Sequence, residues 1–354
     1  MIRILVTGAG GAAGSNFIRC LRLAPECFYV VGTDCHAHRL YAADAEAHCL
    51  VPRSSQSGYI AALNHIIARE NVQLVHPQPD AEVAVLSEER DRIKARMWLP
   101  ERGTVRTLQD KQKAAAVWYD RGLHSEKTFL VHSKDDLERA CGELGLPLWL
   151  RARSGAGARA SAPIRSLEAG HRWLGFWNAH SGSTEFIAQQ YLPGREYAFP
   201  SIWQNGELVT SLLYERLSYL QAHLTPSGKT GAASELATRH GGRLNEAAVE
   251  AVRAVDSDAD GLFCVDLTED ANGRPVPTEI NCGRFFTSCL FWARAGANLP
   301  LHYVRLALGL KPEPLPAFNA APAGKVWLRR LDAESQLIDE EALDMWLKSS
   351  RISR

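Results

Sequence analysis

The stretch 261–284, GLFCVDLTEDANGRPVPTEINCGR, constrains this chain more than any other, because its residues alone determine how it folds. Asn272-Gly273 is the strongest short signal for a two-residue hairpin turn, whose central residues both need φ > 0, and it lies between two runs of strand-like alternation. A turn there sets Ala271 opposite Arg274, Asp266 opposite Glu279 and Cys264 opposite Asn281. Directly opposed residues have Cβ atoms roughly 4.5–5.5 Å apart, and like charges so placed destabilise a sheet. A shared proton, a nearby arginine or a bound divalent cation would offset that repulsion; the plainer alternative is a hairpin whose acids stand in water. Glu279 and Asn281, two apart on one strand, present oxygen ligands on the same face, a donor set that suits magnesium held jointly with substrate phosphates. Read this way, removal of either acid relieves the repulsion and stabilises the metal-free protein.

The 354 residues predict two or three domains. Forty basic and forty acidic side chains leave no net field to attract nucleic acid or an anionic membrane. The eight cysteines form no CxxC pair, and the chain opens on a strand-like MIRILVTGAG rather than a signal peptide, so free thiols and a cytoplasmic location are expected. No apolar run approaches the roughly 18 residues that a membrane span needs.

Residues 2–6 form an apolar run, followed by Gly8, Gly10, Gly11 and Gly14, a helical pattern, and a second strand ending at Asp34. An acid about 20 residues beyond the glycines fits the dinucleotide fingerprint, which points to an NAD(P)-dependent Rossmann oxidoreductase or epimerase. None of the nine tyrosines, however, has the Lys four residues later that the short-chain class uses. The glycines serve equally well to let a helix approach a strand closely. A helix over 59–69, a strand over 73–76, a break at 77–80 and a helix over 82–96 continue the alternation of a doubly wound parallel sheet, whose crevice lies near Gly10, Asp34 and Asp80.

Helices follow over 109–121 and 134–144. A strand then delivers Arg151 and Arg153 into a loop of small residues, 154–161, where backbone N–H groups and arginines suit an anion. Strands over 185–191, 196–203 and 208–215, with Asn205-Gly206 as a turn, read as antiparallel sheet. The aperiodic segment 218–231 is either a lid or a binding loop. Helices over 245–256 and 299–308 flank the acidic hairpin. His223, His240 and His302 are isolated, with no metal-ligand spacing among them.

The chain resembles the ATP-grasp superfamily, most closely its carbamoyl-phosphate-synthase-like branch, from residue 1 to about residue 310. The resemblance implies a fold of mixed α/β and α+β class. An N-terminal Rossmann-like preATP-grasp domain (1–107) precedes a two-lobed ATP-grasp domain (108–310, hinge near 187–196), and a C-terminal extension (311–354) ends the chain. In such first domains a glycine turn and a pattern matching Pro77, Asp80 and Glu82 recur without NAD chemistry. By resemblance, Lys111 and Arg151 contact ATP phosphates beside the loop containing Gly155 and Gly157. Gln189 or Gln190, replacing the usual hinge Glu, meets the adenine together with Tyr191 and Leu192, and Glu196 binds the ribose hydroxyls.

The magnesium triad of the family matches Asp266, Glu279 and Asn281, and Lys111, Arg151 and Arg284 are its catalytic cations. Two departures stand out: Asn281-Cys282-Gly283-Arg284 replaces Asn-Pro-Arg, and Ala152 replaces a proline. The implied activity is that of an ADP-forming carboxylate-amine ligase using ATP and Mg²⁺ on small-molecule carboxylate and amine substrates. A homodimer is compatible with this, and neither nucleic acid nor membrane is expected as partner. A nucleotide-binding protein with a degenerate grasp is a further alternative. Arg216, His223, Lys229, Arg284 and Arg294 are the candidates for a substrate carboxylate clamp.

Overall fold

The structure, a computed structural model, describes residues 1–155, 160–181, 184–331 and 334–349. Its strands fall into three sheets. The first comprises β1 (Ile2–Thr7), β2 (Phe28–Asp34), β3 (Ala47–Leu50) and β4 (Leu74–His76), in the order β3-β2-β1-β4. All of its pairings are parallel, and the apolar residues Ile4, Leu5 and Val6 of β1 and Val30 and Val31 of β2 are buried.

The second sheet is antiparallel and contains β5 (Thr128–Val131), β6 (Leu148–Ala152), β7 (Ala162–Ile164) and β8 (Phe186–Gln190), ordered β5-β8-β6-β7. The third and largest contains β9 (Glu196–Gln204), β10 (Glu207–Ser211), β11 (Leu213–Tyr219), β12 (Ala233–Arg239), β13 (Gly261–Glu269), β14 (Pro275–Cys282), β15 (Lys325–Leu328) and β16 (Gln336–Asp339). Its order is β14-β13-β9-β11-β12-β15-β16, with β10 paired to β9. The segment expected as a C-terminal extension therefore adds two strands to the main sheet, through the pairing of β15 with β12.

The cores follow a different division from the sheets. Two apolar clusters each combine residues of the parallel sheet with residues of the large one, Ile4 and Val6 with Ala198 and Tyr214 in the first, Leu5 and Val31 with Phe199 and Phe263 in the second. The small antiparallel sheet keeps a core of its own, built from Val131, Leu137, Leu148, Leu150, Phe186 and their neighbours.

Two hairpins show how local chemistry sets register. Asn205 and Gly206 take φ 51° and 79° and close the two-residue turn expected between β9 and β10. The turn between β13 and β14 differs, because only Gly273 has positive φ there. Asp270 organises a wider loop, its Oδ1 accepting the backbone N–H groups of Asn272 (2.8 Å) and Arg274 (2.9 Å), and pairing resumes at Glu269 opposite Pro275. That is one residue out of the expected register. A bulge then leaves Thr278 as an extra residue on β14 and restores Asp266 opposite Glu279 and Cys264 opposite Asn281.

The helix expected over 82–96 is shorter, Asp80–Glu88 and then a single turn Arg90–Arg92. Arg96 instead pairs with the edge of β4, its backbone bonding Gln73 and Val75, so sheet pairing overrides helical propensity there. Helices Leu167–Ser181 and Cys289–Arg294 were not foreseen.

The glycine turn after β1 is tightly packed. A Cβ on Gly10 would lie 2.1 Å from the carbonyl oxygen of Arg39, and one on Gly14 2.5 Å from that of Gly8. Gly10→Ala is therefore expected to destabilise the fold by about 1–3 kcal/mol through overpacking against backbone, read as a lower urea midpoint at unchanged slope.

Candidate active site

The facing acids of β13 and β14 lie on one wall of a cavity of about 370 Å³. Its lining includes Trp149, Gln189, Tyr191, Leu192 and Glu196 around the end of β8 and the start of β9, and Tyr214, Phe286, Ser288, Trp327 and Arg329 from elements further along the chain. Asp266 and Glu279 line the same cavity.

Of the three ways to offset the facing charges, cations supply the one seen here. Arg216 on β11 donates to Asp266 Oδ1 at 2.5 Å and lies 5.3 Å from the centre of the Phe286 ring. Lys111 Nζ lies 3.4 Å from Glu279 Oε1 and donates to the Gly155 carbonyl at 2.7 Å. Arg151 Nη1 lies 3.7 Å from Glu279 Oε2, while Nη2 donates to the carbonyl of Thr278 at 2.7 Å. That carbonyl belongs to the bulged residue, so the irregularity that restores the register also fixes Arg151 over the acids. Lys111 reaches inward because Asp110 caps its helix, accepting from the N–H groups of Gln112 and Lys113 while being clasped by Arg153.

The two carboxylates are held unequally. Burial pushes Asp266 up to about 6, with Arg216 opposing and Glu279 reinforcing the rise. Burial also raises Glu279, but Lys111, Arg151 and Arg284 outweigh it and hold that carboxyl below its usual range. Arg284, one residue later than the family pattern, still reaches the site. Gly283 at φ 72° turns the chain back, and the guanidinium bonds both Asn281 and Asp80.

On β8, Gln189 rather than Gln190 is the enclosed amide, 2 % exposed. It donates to Thr128 Oγ1 at 2.9 Å, and its carbonyl oxygen is buried without a partner among the described residues. Tyr191 lies 6.5 Å from Trp149, ring to ring, and Glu196 is engaged by Lys229 and the Tyr219 hydroxyl. Gly157 lies outside the described residues. Among the clamp candidates, Arg216, Lys229 and Arg284 line the cavity, each paired with an acid. Arg294 faces Glu334 at 3.7 Å and the Trp327 ring, and His223 is exposed; neither lines the cavity.

Two charged lining residues escaped the sequence reading, Glu126 and Arg329. Glu126 stands just before β5 in what reads as a loop, and no spacing marks it. Burial pushes its carboxyl up to about 7 against the pull of Arg151 and Lys229. The glycine turn at the crevice of the parallel sheet, by contrast, is tightly packed. The space a Gly10 side chain would need holds the Arg39 backbone, and Asp34 accepts the His36 N–H at 2.9 Å. The glycines thus serve close packing, and the dehydrogenase reading is not favoured.

Comparison with known proteins agrees with this architecture. Residues 4–97 match the family described as PylC-like, N-terminal domain. The large chain of carbamoyl phosphate synthase from Arthrobacter sp. (strain FB24) is 23% identical over 210 residues, 59% of this chain and 19% of that one. The chain thus spans about a fifth of the length of the curated synthase chains it matches. A biotin carboxylase in complex with β-γ-ATP from Campylobacter jejuni superposes with TM-score 0.70 at 15% identity, covering 93% of this chain and 76% of that one. An L-amino acid ligase from Bacillus licheniformis superposes with TM-score 0.69 at 13% identity, over 92% and 79%. These likenesses show an ATP-grasp fold, and its first domain matches the PylC-like family model. No helix among the described residues is long and apolar enough to cross a membrane, and all eight cysteines are unpaired.

The cation partners reverse one sequence-based expectation. Asp266→Asn leaves the Arg216 guanidinium buried without its acid, so the variant is expected to be less stable than the parent in EDTA, by about 3 kcal/mol. In a double-mutant cycle with Arg216→Met the two losses are expected to be far from additive. Glu126 makes a second measurable contribution. With its native pKa raised, the folded state holds the extra proton between about pH 4.5 and 7, so its stabilising contribution is complete at acid pH and is lost as pH rises through about 7. Glu126→Gln is expected to flatten this loss, by about 2–3 kcal/mol between pH 5 and 8 in urea titrations.

Proposed function

We propose that the protein is an ATP-dependent, ADP-forming ligase that phosphorylates a carboxylate to an acyl phosphate and passes the acyl group to an amine. The observation that carries this reading is the convergence of Lys111, Arg151 and Arg284 on the acid pair Asp266 and Glu279, in one cavity with the unpartnered carbonyl oxygen of Gln189. That oxygen is an acceptor suited to an exocyclic amine such as that of adenine. Two carboxylates and the Asn281 amide form a donor set of hard oxygens that fits Mg²⁺, which would neutralise charge on the β and γ phosphates.

The residues then divide the work. Lys111 and Arg151 hold and neutralise the phosphate oxygens, and Arg284, anchored by Asp80, faces the acceptor side. The acid's oxygen attacks the γ-phosphorus, the bond to the β–γ bridging oxygen breaks, and ADP leaves. The amine next attacks the acyl carbon, inorganic phosphate departs with the C–O bonding pair, and the amine loses a proton. Glu196 beside Lys229 stands where the ribose hydroxyls are expected, and the loop at 218–231 together with Gly155 borders the opening that must exclude water from the acyl phosphate. The solved ATP complex of the biotin carboxylase and the amino-acid-joining activity in the name of the Bacillus ligase support this reading.

Hydroxylamine tests it. With ATP, Mg²⁺ and the correct acid drawn from a panel of small carboxylates, the parent is expected to yield a hydroxamate with one ADP per hydroxamate and no AMP. Arg151→Ala is expected to lower the rate by a factor of about a hundred, as when a clamp on developing charge is removed. Release of AMP, or full activity in that variant, overturns the assignment.

A further inference from the structure

Arg329 is the one cation lining the cavity without a partner among the described residues. Lys111 and Arg151 are committed to Glu279, Arg216 to Asp266, Lys229 to Glu196 and Arg284 to Asp80. Arg329 is half-buried, and among the described residues its one hydrogen bond runs from its backbone N–H to the carbonyl of Ser234. Burial alone acts on its guanidinium and lowers its pKa, whereas an acid partner would raise it. A cation taken partly out of water with no counter-charge is costly unless something else supplies one.

The sheet defines where that charge stands. Thr268, Glu196, Arg216, Leu236 and Trp327 are consecutive cross-strand partners on β13, β9, β11, β12 and β15. Trp327 therefore shares a face with the acids of the site, and Arg329, two residues further on, returns to that face. Trp327 stacks on Phe291 at 5.8 Å, Phe286 carries Arg216, and the Tyr214 hydroxyl bonds Ser288 at 2.9 Å, so the ground between Arg329 and the acids is largely aromatic. Four strand spacings separate β13 from β15, roughly 19 Å between backbones. With both side chains extended, an anion on Arg329 still stays on the order of 10 Å from Asp266.

We propose that Arg329 holds an anionic group of the substrate pair, a carboxylate or phosphate distinct from the carboxylate being phosphorylated and separated from it by an apolar span lying across Trp327 and Phe286. This rests on the ligase reading for the identity of the reacting group, but the anion site itself does not. The substrate class is then a small molecule with two anionic ends, or an amine nucleophile carrying its own anion.

Calorimetric titration with suberate and, separately, with inorganic phosphate, each with Mg-ADP present, tests the site in the full chain. The parent is expected to bind at least one of them, with affinity falling at least tenfold in Arg329→Ala and less in Arg329→Lys, while Mg-ADP affinity is unchanged. The tighter of the two probes identifies the group as carboxylate or phosphate. Equal anion binding by parent and Arg329→Ala, absence of binding by the parent at tens of millimolar, or an equal loss of Mg-ADP affinity in the variant overturns the proposal. Failure of the parent to bind Mg-ADP would instead count against the ligase reading, and the dependence of suberate or phosphate binding on Arg329 would still decide this one.

Discussion

Two carboxylates facing each other across a pair of adjacent strands cannot be left to themselves, and much of this structure answers that demand. Asp266 and Glu279 are neutralised by groups from separate parts of the chain: Arg216 from a strand two places away in the same sheet, Lys111 from a helix N-terminus, and Arg151 from the small antiparallel sheet. Because each cation arrives from a different element, the acids act as a meeting point for the architecture as well as for chemistry. The inequality between them follows from the same arrangement. Glu279 has several cations around it and stays ionised, whereas Asp266 relies on Arg216 against a large burial penalty.

The sequence made this pairing legible for a reason that was partly accidental. Asn272-Gly273 invites a two-residue turn, and the wider loop built by Asp270 shifts the strands by one residue. The bulge at Thr278 shifts them back. Alternation on the two strands carried the correct answer because the apolar residues Val265, Leu267 and Ile280 must face the core whichever turn joins them. Periodicity located most helices and strands of the first 256 residues for the same reason, since burial of one face leaves a repeating pattern.

Less was readable where contacts are made across long sequence separations. Arg216 could be named but not paired, since its neighbour Asp266 lies two strands away in a sheet whose order no local pattern reveals. Glu126 and Arg329 carry no spacing signal at all, because each faces the cavity only once the two sheets are brought together. The glycines after β1 show the opposite limit. Their pattern was visible, yet the same pattern serves a nucleotide or a tightly packed turn, and only the position of the Arg39 backbone distinguishes the two.

The separate core of the small sheet has a mechanical consequence. The parallel sheet and the large sheet share two apolar clusters, whereas the small sheet has its own core and meets the rest of the site through polar contacts that include those of Arg151, Arg153 and Lys111. Apolar cores resist separation in a way that polar contacts in partial contact with water do not, so the molecule is built as a heavy platform carrying one lightly latched flap. Salt weakens such a latch and leaves the platform intact, so amide protons of β5 to β8 are expected to open and exchange at ionic strengths where those of β9 and β13 stay protected.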